Sequence, residues 1–128
     1  MPPTYSHMAL HFRYRLWIAE MNADISVLRI FNDYIVELSS KNGDPAVKSG
    51  IAEFNKVFTG FRGDIDELRH EMHLCKMSLA ADAKASGKSG KTSSITGDHS
   101  ALEKRYTGYR KKFDTVKQEF GSFEGKWL

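Results

Sequence analysis

Val47, Ile51, Phe54, Phe58, Phe61, Ile65, Leu68, Met72, Cys75 and Leu79 follow one another in steps of four and three without a miss. Such steps average 3.5 residues, so the side chains share one stripe along a helix, whereas a strand would scatter them over two faces. Asp44 followed by Pro45 supplies a start. The carboxylate accepts from orphan amides of the first turn, and proline needs no donor at the first helical position. The spacing predicts a helix over about 45–81, on the order of 55 Å long.

The same steps recur near the C-terminus, in Leu102, Tyr106, Tyr109, Phe113, Val116, Phe120, Phe123 and Trp127. Ser100 and Glu103 have the spacing of a capping box, which sets a third helix at about 100–127. The first helix, about 8–40, is less regular. Leu10, Tyr14, Trp17 and Met21, then Leu28, Phe31, Ile35 and Leu38, hold the register, but Asp24 occupies the seam. Ile18 and Ile25, one position later, favour an apolar stripe that swings sideways there; the alternative is a buried Asp24 that fixes register. Residues 10–16 alternate as a strand would, so the opening turns are the weakest part of the pattern. Lys41-Asn42-Gly43-Asp44 is a stop and restart, with Asn42 or Gly43 suited to a left-handed cap. So short a connection makes the first two helices antiparallel neighbours. The stretch at about 83–97, rich in Gly, Ser and Lys, reads as a flexible linker.

A chain of 128 residues is the length of one domain, and 41% hydrophobic with 27% charged residues is an ordinary globular composition. His11, Arg13 and Arg15 interrupt any secretory apolar core, and no run reaches the roughly 18 residues of a membrane span. With a single cysteine, no internal disulfide forms, so a cytoplasmic setting is the expectation. Charge is uneven: residues 1–82 balance to −2 and residues 83–128 to +5, within a total of +3. The two halves attract each other, and the basic one has some affinity for polyanions.

Two features point to a homo-oligomer; the alternative is a monomer whose excess apolar residues are merely scattered over its surface. The first helix carries extra apolar residues off its seam, Leu16, Ile18, Ile25, Val27, Ile30, Tyr34 and Val36, more than one partner surface would bury. Gly60, Gly63, Gly108, Gly121 and Gly125 fall at outward positions inside helices, at a cost of about 0.8–1 kcal/mol each relative to alanine, which packing must offset.

Trp17 with Glu20, DISVLRIFNDYIVELSSKN, EFNKVFTGFRGDIDELRHEM and the terminal LEKRYTGYRKKFDTVKQEFGSFEGKWL resemble a family of short, uncharacterised bacterial helical proteins. Those proteins share an early Trp, a central F-x-x-x-F then I-D-E-L-[KR]-H stretch and a terminal K-W-[ML]. The resemblance covers most of the chain outside residues 1–12 and the linker. It implies a helical fold and carries no activity; the many glycines depart from its pattern.

Several stretches mimic chemical motifs. Residues 85–92, ending Gly90-Lys91-Thr92, match a relaxed phosphate-binding loop, but that loop needs a strand before it and a helix after it. Glu67-x-x-His70 has the spacing of di-iron bundles, and His70 with His73 are three apart; the seam places both histidines outward, and no second such motif supplies inward ligands. Cys75 sits on the seam as a small apolar residue. Lys104, Arg105, Arg110, Lys111, Lys112 and Lys117, with Lys84, Lys88 and Lys91, form a basic cluster whose interleaved Tyr106, Tyr109 and Phe113 belong to the core. That cluster is better satisfied by solvent, or by the acidic Asp64, Asp66, Glu67 and Glu71.

The reading that results is one helical domain over 1–128, an all-α antiparallel three-helix coiled-coil bundle that self-associates. Its expected role is a non-enzymatic scaffold or protein-interaction module, with no catalytic, cofactor or metal residues. A nucleic-acid accessory protein using the basic half, and a bundle metalloprotein, are the alternatives.

Overall fold

The computed structural model describes residues 6–86 and 96–127. Three helices account for nearly all of them: α1, His7–Lys41; α2, Pro45–Ser86; and α3, Thr96–Trp127. They pack side by side as an all-α three-helix bundle, with α1 lying most extensively on α2 and α3 closing over both.

The strand-like opening of α1 is helical. Ser6 caps it, its hydroxyl accepting from the Ala9 amide at 3.1 Å. Leu10 and Tyr14 are fully buried while Phe12 between them is 62% exposed; a strand would turn all three to one face, whereas a helix separates Phe12 from the other two. Between α1 and α2 neither candidate cap residue is left-handed. Asn42 is extended at φ −134°, its N–H donates to the Leu38 carbonyl at 2.9 Å, and Gly43 also lies outside the left-handed region. The expectation of a left-handed cap is therefore corrected. A side-chain relay takes its place: the Asp44 amide donates to Asn42 Oδ1 at 3.0 Å, and Asp44 Oδ1 accepts from Ala46 at 2.8 Å, which starts α2 at Pro45 as anticipated.

Two boundaries move. α2 continues to Ser86, past residue 81, and α3 begins at Thr96, so Ser100 lies inside the helix and caps nothing. The gain is His99, which an α3 beginning at 100 would leave outside and which is instead buried at 2% exposure. The centre of the proposed linker lies outside the described residues.

Every seam position on α2 faces inward, with Phe54 and Cys75 half-buried and the others buried. Phenylalanines cross-link the three helices at one level. Phe31 of α1 lies 5.4 Å from Phe58 of α2 and 4.6 Å from Phe120 of α3, ring centre to ring centre, and Phe54 lies 5.2 Å from Phe120. Burial of each such ring contributes roughly 1.5–3 kcal/mol, with aromatic pairing adding to it. Close helix approach is visible at Gly50, where a β-carbon would stand 2.5 Å from the Phe123 ring. Among the described residues, no helix is long and apolar enough to cross a membrane.

Candidate functional site

Asp24 is buried, 5% exposed, on the seam between α1 and α3. The favoured sideways swing of the stripe is thus corrected: Ile25 does join the core, but Asp24 stays within it. Its carboxylate survives there because α3 brings it three donors. Tyr109 donates its hydroxyl at 2.8 Å, and Arg110 forks onto both oxygens, Nη1 at 3.0 Å and Nη2 beside it. Such a charge is tolerated in a core only when paired and hydrogen-bonded. Around this tie, Tyr106 donates to Glu20, and the Arg110 guanidinium lies 5.4 Å from the Tyr109 ring centre.

The surroundings bias each proton. Burial, then the hydrogen bond to Asp24, holds the Tyr109 phenol well above its usual range; burial and Glu20 do the same for Tyr106. Burial pulls the other way on Arg110, but its bonds to Asp24 and Tyr106 outweigh it and raise its basicity. With their protons held, Tyr106, Tyr109 and Arg110 fasten α3 to α1.

One end of the α1–α3 interface holds an aromatic cluster. Trp17 stacks on Tyr106 at 5.0 Å and on His99 at 5.9 Å, and the Tyr14 hydroxyl lies 3.0 Å from His99 Nδ1. Glu103 sits 3.5 Å from His99 Nε2 and bonds Arg13 at 3.1 Å. Desolvation holds His99 below the ordinary imidazole value of 6.5; Glu103 opposes this and Arg13 adds to it. Sequence reasoning missed this cluster, because partners 85 positions apart leave no local signature.

The other sequence candidates disperse. His70 and His73 are exposed on the outer side of α2, and the carboxylate of Glu67 turns to Arg105, which also binds Glu71. Pairing of Arg105 with the acidic stretch and of Arg110 with Asp24 takes two cations from the basic cluster. Lys104, Lys111, Lys112 and Lys117 stay exposed, and Tyr106, Tyr109 and Phe113 are core residues. Ala85 and Ser86 close α2, while the rest of the phosphate-loop-like stretch lies outside the described residues.

What the bundle does present is a second apolar stripe on α1, turned away from the core. Met8 is 82% exposed, Phe12 62%, Leu16 53%, Ile30 52% and Tyr34 42%; exposed Ala19 and Ala23 lie between them. At 100° per residue these positions fall within about one-third of the helix circumference, opposite the buried seam. Met8 and Phe12 went unrecognised in the sequence because the alternation of residues 10–16 masked their four-residue spacing. Fold and surface together define a helical bundle with an uncovered apolar ridge. Comparison with protein-family models, with curated proteins and with solved structures finds no match.

Two outcomes follow for the α1–α3 interface. Asp24→Ala strands Arg110 and Tyr109 and should cost about 3 kcal/mol by urea unfolding, while Asp24→Leu combined with Arg110→Met recovers most of that loss. If the two substitutions prove simply additive, the tie is not a coupled unit. For His99, the unfolded chain takes up the proton first as pH falls below about 6.5, so stability present above that value is lost toward lower pH. His99→Gln, which keeps a partner for Tyr14, should flatten the fall in melting temperature between neutral and mildly acidic pH; parallel falls in both proteins would contradict the assignment.

Proposed function

We propose that this protein is a non-enzymatic helical scaffold that binds another protein chain through the outer ridge of α1, acting in the cytoplasm. The observation that carries the reading is that ridge. Single exposed apolar residues are ordinary on a surface, but an aligned row of large ones marks a surface meant to be covered. The chemistry-bearing residues support the same view. Asp24, Arg110, Tyr106 and Tyr109 are consumed in holding helices together, and the groove between α1 and α2, floored by Ile25, Leu28 and Phe58, has a rim of mixed charge from Arg29, Asp33 and Arg62. Kinship with the short bacterial helical proteins is part of this proposal and agrees with it.

The exposed lysines of α3 keep one rival in view, a nucleic-acid accessory role. A photo-cross-linking residue placed at Leu16, compared with one at Lys104, separates the two in the native host. The scaffold reading expects protein adducts from position 16 and few from position 104. An absence of adducts at 16, together with duplex binding that weakens steeply with salt and with neutralisation of Lys111 and Lys112, would overturn it.

A further inference from the structure

The scaffold reading leaves open which chain covers the ridge. We infer that the occupant is a second copy of this protein, docked antiparallel along α1 about a two-fold axis that passes near Ala19 and Ala23. This inference rests on the reading of α1 as a binding face and adds the identity and orientation of its partner.

The ridge is self-complementary in size. Bulky side chains stand at both ends, Met8 and Phe12 at one and Ile30 and Tyr34 at the other, and two exposed alanines mark the middle. Helix separation is set by the side chains at the contact, so the alanines are where two copies come closest. Laid antiparallel, each Ala19 meets Ala23 of the copy, and each Phe12 reaches the level of Ile30.

A socket waits at that level. Between α1 and α3 lies a notch of about 160 Å³ lined by Ile30, Phe31, Tyr34, Phe120, Gly121 and Glu124. Among the described residues a β-carbon on Gly121 would meet nothing within 4 Å, so its missing side chain leaves the mouth of the notch open. Within one chain that glycine only weakens its helix; against a copy it makes room for the Phe12 ring. Knob and socket lie 18 residues apart on α1, about 27 Å along the axis. A surface that carries both is what an isologous two-fold interface requires, since each copy then gives and receives the same contact. Parallel pairing would set Phe12 against Phe12 and leave the notch unused.

The area suffices. Given the exposures of Met8, Phe12, Leu16, Ile30 and Tyr34, and roughly 150–250 Å² for a large side chain, the ridge offers on the order of 600 Å² per copy, at the lower edge of standard stable interfaces.

Sedimentation equilibrium of the full chain, from low micromolar to submillimolar concentration, tests the inference. The expected result is a monomer–dimer equilibrium, with dissociation about tenfold or more easier in Phe12→Ser and in Gly121→Leu. The second variant fills the socket with a better helix former, and unchanged far-ultraviolet circular dichroism shows that the fold is kept. Orientation is read in a Cys75→Ser background: Phe12→Cys with Ile30→Cys should give a covalent dimer on oxidation, and Phe12→Cys alone should not. A chain that is monomeric at every concentration overturns the second copy as occupant, while adducts from position 16 to a different protein would still uphold the scaffold reading. A dimer indifferent to both substitutions, or a dimer cross-linked through Phe12→Cys alone, overturns the proposed geometry.

Discussion

Exclusion of water along one shared seam holds these helices together, and every other feature is placed by it. The helices run 35, 42 and 32 residues, and in α1 only eight of the 35 are buried. Their backbone hydrogen bonds are local and bring no helix near another, so the tertiary structure rests on side chains that meet in the middle. The layer of Phe31, Phe54, Phe58 and Phe120 matters most, because it is where aromatic rings from all three helices touch at one level. Once the seam closes, the direction of every other residue is fixed by the helical period, including the row of apolar side chains left on the outside of α1.

An apolar seam alone specifies register weakly, since one hydrophobic layer slides past another at little cost. Asp24 and Arg110 remove that freedom. Shifting α3 by a single turn would carry Arg110 and Tyr109 about 5.4 Å away from the carboxylate and leave a bare charge in the core. The polar tie therefore costs desolvation and returns uniqueness, the use for which buried charges in helical bundles are best attested. The cluster of Tyr14, Trp17 and His99 extends the α1–α3 contact to the start of α3, and it explains why that helix begins before the apparent capping box at Ser100.

Periodicity made α2 and α3 legible, since Val47 through Leu79 and Leu102 through Trp127 face inward as their spacing demands. What periodicity could not settle was the partner of a polar residue on the seam. Asp24 next to Ile25 is compatible with a rotated stripe or with a buried charge, and only the arrival of Arg110 from α3, 86 positions away, decides between them. His99 was hidden for the same reason. The outer ridge was half legible: Leu16, Ile30 and Tyr34 stood out as surplus apolar residues, but Phe12 was absorbed into a strand-like alternation. The glycines give a mixed lesson. Gly60, Gly63, Gly108, Gly121 and Gly125 do point outward, yet among the described residues a β-carbon at any of them would meet nothing within 4 Å, so no close approach there offsets their cost.

One cooperative seam, and not three independent helices, constitutes the folded protein. Phe58 sits within 5.8 Å of ring centres on all three helices, and an aspartate there removes the ring that joins them and sets a charge among the remaining aromatics. Thermal unfolding of Phe58→Asp, followed by circular dichroism, addresses the claim directly. The account predicts that the sharp transition of the native protein is replaced by a broad, gradual loss of helix; a sharp transition near the native melting temperature would contradict it.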